Sequence, residues 1–157
     1  SGRPRRAHPS RAPLLTRIMD LPPFEQAVAR ICAQNRRYAP EAYLFLHAGL
    51  MRTLKQTEER EKKARHITGA ELANGLREHA LAEFGPLAMT VLGHWGITRT
   101  RDFGEIVYAL LAAGLLGKTD EDKIEDFDDV YDFEEALRAP FRPKPPRKSA
   151  RRLAKKT

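Results

Sequence analysis

The chain is poor in cysteine: Cys32 is the only one among 157 residues, so an intramolecular disulfide is excluded. A single cysteine also excludes a Cys-x-x-Cys pair, which is the usual start of a zinc-binding motif. No apolar run approaches the ~20 residues that a membrane span requires, and the Leu14–Leu15 patch is too short for the core of a signal peptide. These absences predict a soluble cytoplasmic protein with no membrane partner.

Common catalytic motifs are also missing. The sequence contains no Gly-x-Ser-x-Gly, no Gly-rich phosphate-binding loop and no Gly-x-Gly-x-x-Gly. Cys32 falls on the apolar face of a predicted helix, where a free cysteine usually behaves as a small hydrophobic side chain. We therefore expect a non-enzymatic protein that uses no cofactor, while a small-molecule enzyme stays open as an alternative.

The histidines are spaced too widely for a common metal motif. His66, His79 and His94 are separated by 13 and 15 residues, whereas metal-ligating histidines usually form a close pair such as His-x-x-x-His. Glu71 or Asp102 would be the additional ligands of such a site. The spacing favours structural roles, with His66 at a helix entry and His94 in a turn, and predicts no metal site.

Acidic residues are absent from both ends of the chain, whereas basic residues are abundant there. Residues 1–18 hold five arginines and residues 139–157 hold eight lysines and arginines, all without an acid. Both ends are rich in proline and arginine and poor in apolar residues, so they cannot bury enough apolar surface to offset the entropy of ordering. We expect two disordered basic tails, which are typical of segments that contact a polyanion.

The middle of the chain has the opposite charge. Thirteen of the 28 lysines and arginines lie in the two ends, so residues 19–138 keep 15 of them against all 21 acids. The net charge of +7 therefore describes the ends. The middle is acidic, and its 120 residues are enough for one hydrophobic core.

Apolar periodicity and helix-breaking residues predict five or six helices in this middle part. The first is predicted to begin at Pro22–Pro23, with Asp20 as its N-cap. The second opens at Pro40 and gives way over residues 56–65 to a charged loop or a frayed helix end.

The later helices have local start and stop signals. Thr68 and Glu71 have the spacing of a capping box for the third helix, which Gly85 ends. Pro86 starts a short fourth helix, and Thr100 is the predicted N-cap of the fifth.

Residues 120–135 form an acidic block with ten acids against one lysine. A plain acidic tail would lack apolar residues, but this block is interrupted by Phe127, Val130, Tyr131 and Phe133. We predict irregular or strand-like structure that packs through these side chains and closes with a brief helix. The fold class is thus mainly α, with one compact domain over residues 19–138 between the basic segments 1–18 and 139–157.

An ordered succession of short motifs across the predicted fold resembles one protein family. The motifs are Arg37-Tyr38, Ala42-Tyr43-Leu44-Phe45, His66-Ile67-Thr68-Gly69-Ala70-Glu71-Leu72, Phe84-Gly85, Trp95-Gly96-Ile97, Asp102-Phe103-Gly104-Glu105-Ile106-Val107, Asp126-Phe127 and Tyr131-Asp132-Phe133. The family is an uncharacterised bacterial family of small, mainly helical proteins, known by a verrucomicrobial locus tag. The resemblance spans roughly Leu21 to Leu137 and implies a single compact domain. It implies no activity and carries no catalytic residue, and both basic segments lie outside it.

Residues 93–105 combine the only tryptophan of the chain with mixed charges and are the strongest candidate for recognition within the fold. One interpretation is a small recognition pocket or an aromatic platform for a nucleobase. The other, which we favour, is that Trp95 anchors the core while glycines let the chain turn beneath it. The candidate recognition patch comprises Arg37, Tyr38, His66, Glu71, Trp95, Arg101 and Asp102.

Helices three to five could form a helix-turn-helix DNA reader in which the helix after Thr100 enters the major groove. Such a helix needs exposed Arg, Lys, Asn or Gln side chains. Beyond Arg101 this helix has none, and it carries two acids. We therefore disfavour DNA reading by this helix.

The leading hypothesis is a non-enzymatic module that binds nucleic acid, RNA rather than DNA, or the ribosome through its basic tails. The alternative is a protein–protein adaptor whose site is the acidic block 120–135 and the turn at Trp95. The C-terminal tail could also fold back on the acidic block, which would lower its affinity for nucleic acid. The predicted nucleic-acid-binding residues are Arg3, Arg5, Arg6, Arg142, Lys144, Arg147, Lys148, Arg151, Arg152, Lys155 and Lys156.

Overall fold

The computed structural model describes residues 22–117 and 123–143, and these residues form the predicted mainly α, compact fold. The five α-helices are α1 (Pro23–Gln34), α2 (Pro40–Glu61), α3 (Gly69–Phe84), α4 (Ala88–His94) and α5 (Thr100–Ala112). The predicted N-cap Asp20, the acidic residues 120–122 and the basic segments 1–18 and 144–157 lie outside the described residues. Within the described ranges, no helix is both long and apolar enough to cross a membrane.

The first two helices form an antiparallel hairpin. Pro22, and not the predicted Asp20, is the N-cap of α1, and Pro23 is its first residue, where the missing N–H of proline leaves no hydrogen bond unmade. Five residues, 35–39, join α1 to α2. At the other end of α1, the Phe24 and His47 rings lie 4.3 Å apart between centroids. The start of α1 therefore lies beside the middle of α2.

The second helix is longer than the sequence predicted. It continues through the charged stretch to Glu61 and ends where Lys62 takes a left-handed conformation with φ of 62°. Thr57 is buried on the inner face of the helix, while the glutamates and arginine that follow are good helix formers. The loop interpretation of residues 56–61 is wrong, because charged residues on an outer face are compatible with a helix.

The predicted capping box of α3 is confirmed. The Glu71 N–H donates to Thr68 Oγ1 at 3.1 Å, and the Thr68 N–H donates to Glu71 Oε1 at 3.0 Å. Gly85, with φ of 52°, ends the helix as predicted. The helix can pack closely on α2 because Gly75 presents no Cβ to the Thr53 side chain.

The starts of α4 and α5 differ slightly from the prediction. Pro86 lies in a 3₁₀ turn, Gly85–Leu87, and α4 begins at Ala88. The N-cap of α5 is Arg99 and not Thr100. The Thr100 hydroxyl instead donates to the Phe127 carbonyl at 2.6 Å, so it joins α5 to the acidic block 120–135. That bond joins residues 27 positions apart, so local cap signals could not reveal it.

The described part of the acidic block is irregular, and no strand occurs in residues 22–117 and 123–143. It contains a 3₁₀ turn (Ile124–Phe127) and a π-helical turn (Glu134–Arg138). Phe127, Phe133 and Leu137 are buried against the helices, as the packing prediction requires. A last 3₁₀ turn, Ala139–Phe141, carries regular structure beyond the predicted boundary at 138.

Candidate functional site

The buried carboxylate of Asp102 organises the start of α5. Its Oδ2 accepts hydrogen bonds from the backbone N–H groups of Thr98 at 2.9 Å and Arg99 at 3.2 Å. Its Oδ1 lies 2.6 Å from the Tyr38 hydroxyl and 3.3 Å from Nη2 of Arg37. Because Asp102 is fully buried, these donors replace the water that the carboxylate loses on folding.

The Tyr38 hydroxyl lies between two carboxylates. It is 2.6 Å from Asp102 Oδ1 and 2.5 Å from Glu105 Oε2. A phenol has one proton to donate, and a phenolate here would face two negative charges. Burial, followed by the hydrogen bonds to Asp102 and Glu105, raises the pKa of Tyr38 well above its usual range. Tyr38 therefore stays protonated and acts as a donor that joins α1–α2 to α5, not as a base.

The Arg37 side chain covers this pair on the solvent side. Its Nη1 donates to the Gly96 carbonyl at 3.0 Å, and its Cζ lies 4.7 Å from the centroid of the Tyr38 ring. With Nη2 on Asp102, the guanidinium has three contacts, yet the side chain keeps 48% of its exposure. Arg37 can therefore present a positive charge at a fixed place on the surface.

The turn that contains Trp95 and Gly96 packs directly on the connection between α1 and α2. The Ala39 N–H donates to the Trp95 carbonyl at 3.1 Å. Gly96 has φ of 95°, and a Cβ at this position would lie 2.6 Å from the Arg37 carbonyl oxygen. Glycine is required here by both the backbone conformation and the close approach.

The Trp95 ring is part of the aromatic packing. Its centroid lies 5.9 Å from that of Phe45 and 5.6 Å from that of Phe84, which it meets edge to face. The side chain is partly buried against the core. This packing favours the interpretation of Trp95 as a core anchor, since a nucleobase platform needs an open ring face.

Arg65, which no sequence motif singles out, joins the end of α2 to the start of α3. Its Nη2 lies 2.7 Å from both Glu61 Oε2 and Glu71 Oε2, and its Nη1 donates to the His66 carbonyl. Arg65, together with the cap hydrogen bonds of Thr68, lowers the pKa of Glu71 to about 2. Glu71 and the His66 backbone therefore contribute to a helix junction.

The structure thus brings together four members of the predicted recognition patch, Arg37, Tyr38, Trp95 and Asp102. Arg65 instead contacts the His66 carbonyl and the Glu71 carboxylate, and Arg101 pairs with Asp128. Glu105 belongs with the first group; it lies in the candidate stretch 93–105 but was not among the residues predicted for the patch. One sequence signal for this group exists: Asp102 precedes the core residue Ile106 by four positions, so both lie on the buried face of α5.

A polar concavity of about 590 Å³ opens between the start of α5 and the acidic block 120–135. Arg101 reaches across it to Asp128, with Nη1 3.0 Å from Oδ1. Its lining contains more carboxylates than guanidinium groups, which favours a cationic ligand. The charged lining residues are Arg99, Arg101, Glu105, Asp128, Asp129 and Asp132.

Arg142 is the one predicted nucleic-acid-binding residue that lies among the described residues. Its guanidinium forms an ion pair with Glu134, which also pairs with Arg138 at 3.4 Å. The beginning of the C-terminal basic segment therefore contacts the acidic block 120–135. The other ten predicted binding residues lie outside the described ranges.

The described residues hold no cluster suited to a metal ion, and their cysteine is partly buried. Residues 22–117 and 123–143 contain no group of three or more His, Cys, Asp or Glu placed to hold a metal ion. The Cys32 thiol lies 3.9 Å from the Tyr38 carbonyl oxygen. Burial, followed by the nearby Glu41 charge, raises the pKa of Cys32, so the thiol is a weak nucleophile.

Comparisons of the chain with protein-family models, with curated proteins and with solved structures find no match.

Proposed function

We propose that this chain is a non-enzymatic module that binds a polyanion, RNA rather than DNA, or the ribosome, through its basic terminal segments. The segregation of charge is the observation that carries the proposal. The described residues contain 15 lysines and arginines against 17 acids, while the rest of the chain contains 13 against four. The folded part therefore carries a small excess of acids, and the basic excess of the chain lies in the terminal segments.

The physical basis of the proposed binding is the release of counterions. Each phosphate that a lysine or arginine neutralises frees condensed cations, so the affinity falls steeply with salt and depends little on sequence. Proline favours an extended backbone, which suits an RNA groove or a ribosomal surface, and the C-terminal segment contains Pro143, Pro145 and Pro146. We also propose that the chain belongs to the bacterial family that its motifs resemble and that it acts in the cytoplasm.

The test compares two full-length variants with equal loss of charge. Arg147, Lys148, Arg151 and Arg152 are changed to Gln in the first, and the exposed domain residues Arg36, Lys55, Lys62 and Lys63 in the second. Binding to a single-stranded RNA oligonucleotide is measured between low and moderate salt. If the four tail residues contact phosphates, the slope of log K against log salt falls by about 3 in the first variant only.

Equal slopes in the two variants would contradict binding through the C-terminal tail. A duplex DNA of the same length, measured in parallel, tests the preference for RNA. Tighter binding of the duplex would reverse that preference.

We propose as a second candidate function an adaptor that binds a basic peptide through the acidic block and the turn at Trp95; the polar concavity, which Trp95 does not line, supports the acidic-block part of this site. Asp129 and Asp132 are the residues to change, because no ion pair is formed by either of them among the described residues. Asp129→Asn with Asp132→Asn should weaken the binding of a lysine-rich peptide several-fold. Glu58→Gln with Glu59→Gln, exposed on α2, is the matched control. Equal affinities in both double variants would exclude the concavity as the site.

A further inference from the structure

An apolar groove lies between α2 and α5, at the entry to α3. Its volume is about 300 Å³, and its mouth includes Met51, which keeps 44% of its exposure. The apolar residues that line it on α2 are Leu50, Met51 and Leu54. An exposed large apolar side chain beside an apolar groove is typical of a surface that packs against another segment.

The course of α1 directs the preceding part of the chain toward this groove. The Phe24 ring packs on His47, and His47 precedes Leu50, Met51 and Leu54 by three, four and seven positions along α2. Residues with this spacing lie on one face of a helix. Since α1 runs antiparallel to α2, the axis of α1, extended backwards beyond Pro22, runs along that face.

The sequence before Pro22 has the apolar residues that this groove requires. Leu14, Leu15, Ile18 and Met19 recur at the spacing of one helical face, with Leu21 following. From His47 to Leu54 is about 10 Å along α2. Eight residues, 14–21, cover about 12 Å as a helix and about 26 Å when extended, so the segment is long enough to lie along the groove.

We propose that residues 14–21 dock in this groove of their own chain through Leu14, Leu15, Ile18 and Met19. A tether this short gives the segment an effective concentration in the millimolar range at the groove, which favours it over a second copy or another protein. Docking would hold the N-terminal arginines at a defined place beside α2. The proposal rests on the groove and on the course of α1, and it stands independently of polyanion binding.

A spin label near the segment tests the docking in the full-length chain. Cys32→Ala removes the native thiol, and Thr16→Cys carries a nitroxide on the polar side of the segment. The methyl signals of Leu50, Leu54 and Leu111 should be broadened to less than half their reduced-state intensity. The Leu87 methyls, on a side chain that is 63% exposed and outside the groove, should keep their intensity.

Two variants of the labelled chain separate apolar docking from mere proximity. Leu15→Asp with Ile18→Asp should restore the Leu50 and Leu54 signals, whereas the control Ala7→Asp with Ala12→Asp should not. Met51→Asp makes the same test from the groove side, at a position exposed enough to accept the change.

Three results would overturn the proposal. The first is unbroadened groove methyls in the full-length chain. The second is broadening that survives both Leu15→Asp with Ile18→Asp and Met51→Asp. The third is broadening that appears only between chains, when a spin-labelled protein is mixed with a separate methyl-labelled one, because the occupant would then be a second copy.

Discussion

Asp102 and Glu71 occupy the same position in two helices, yet they contribute to the fold in different ways. Each is the third residue of its helix, and each accepts a hydrogen bond from the backbone N–H of the N-cap residue. The Glu71 side chain keeps 35% of its exposure, whereas that of Asp102 keeps none. The same local cap signal therefore gives a helix junction at the surface in one case and a buried tertiary contact in the other.

The cost of removing each carboxylate depends on its burial, because burial determines whether water can take its place as acceptor. Water can replace a lost partner at Glu71, so the loss costs little. At Asp102 the N–H and O–H groups that would lose their acceptor are shielded from water. Each would stay unpaired, which costs free energy of folding. Substitutions in and around the buried Asp102 cluster should therefore reduce the free energy of unfolding more than a substitution at the exposed Glu71 junction.

Asp102→Ala should cause the largest loss, about 3 kcal/mol or more in the free energy of unfolding, because several shielded donors lose their acceptor together. Urea unfolding followed by circular dichroism measures it. Asp102→Asn is the control, since the amide oxygen can still accept the N–H groups of Thr98 and Arg99 and should cost less. Equal costs for the two variants would show that the cap bonds contribute nothing.

Gly96→Ala should cost about 2 kcal/mol, because a Cβ would strain the positive φ and press on the Arg37 carbonyl. Gly93→Ala is the matched control in α4, where a Cβ meets nothing within 4 Å. It should be neutral or slightly stabilising. Thermal unfolding of both variants gives the comparison, and similar melting temperatures would contradict the packing of the turn on residues 37–39.

Tyr38→Phe should cost about 1–2 kcal/mol, since it removes the donor between Asp102 and Glu105 while keeping the buried ring. A double-mutant cycle with Asp102→Asn sharpens the test. The two costs should not add, because both changes remove the same bond. Additive costs would mean that the hydroxyl and the carboxylate act independently.

Glu71→Gln should have the smallest effect, about 0.5–1 kcal/mol at neutral pH. The folded pKa of about 2 lies below the ordinary value of 4.5, so the carboxylate contributes stability above about pH 4.5 that is lost as the pH falls toward 2. The difference between the wild-type chain and Glu71→Gln in urea unfolding should therefore shrink over that range. A constant difference would exclude the ion pair with Arg65 as its cause.

Local signals in the sequence predicted the helical framework well. The Thr68–Glu71 cap of α3, the proline start of α1 and the glycine stop at Gly85 were all correct, because each depends on contacts within about four residues. The charged end of α2 was misjudged, since the sequence does not show that Thr57 would be buried on its inner face.

The candidate site was predicted only in part. The Tyr38–Asp102 bond joins residues 64 positions apart, and the Arg101–Asp128 pair joins residues 27 apart. No spacing rule connects residues at such separations. The predicted patch therefore combined members of the Asp102 cluster with His66, Glu71 and Arg101, which lie at other contacts between elements. Glu105 was included in the candidate stretch 93–105 but left out of the patch for the same reason.

The sequence by itself determined the division of charge between the ends and the middle, the mainly helical class and the capping box that starts α3. These depend on composition and on neighbours in the chain. Only the tertiary structure decided that Asp102 would be buried beneath Arg37 and Tyr38. It also decided that carboxylates of α5 and of the acidic block 120–135 would face one concavity. Both follow from how helices pack, because packing determines which polar groups lose water and which keep it.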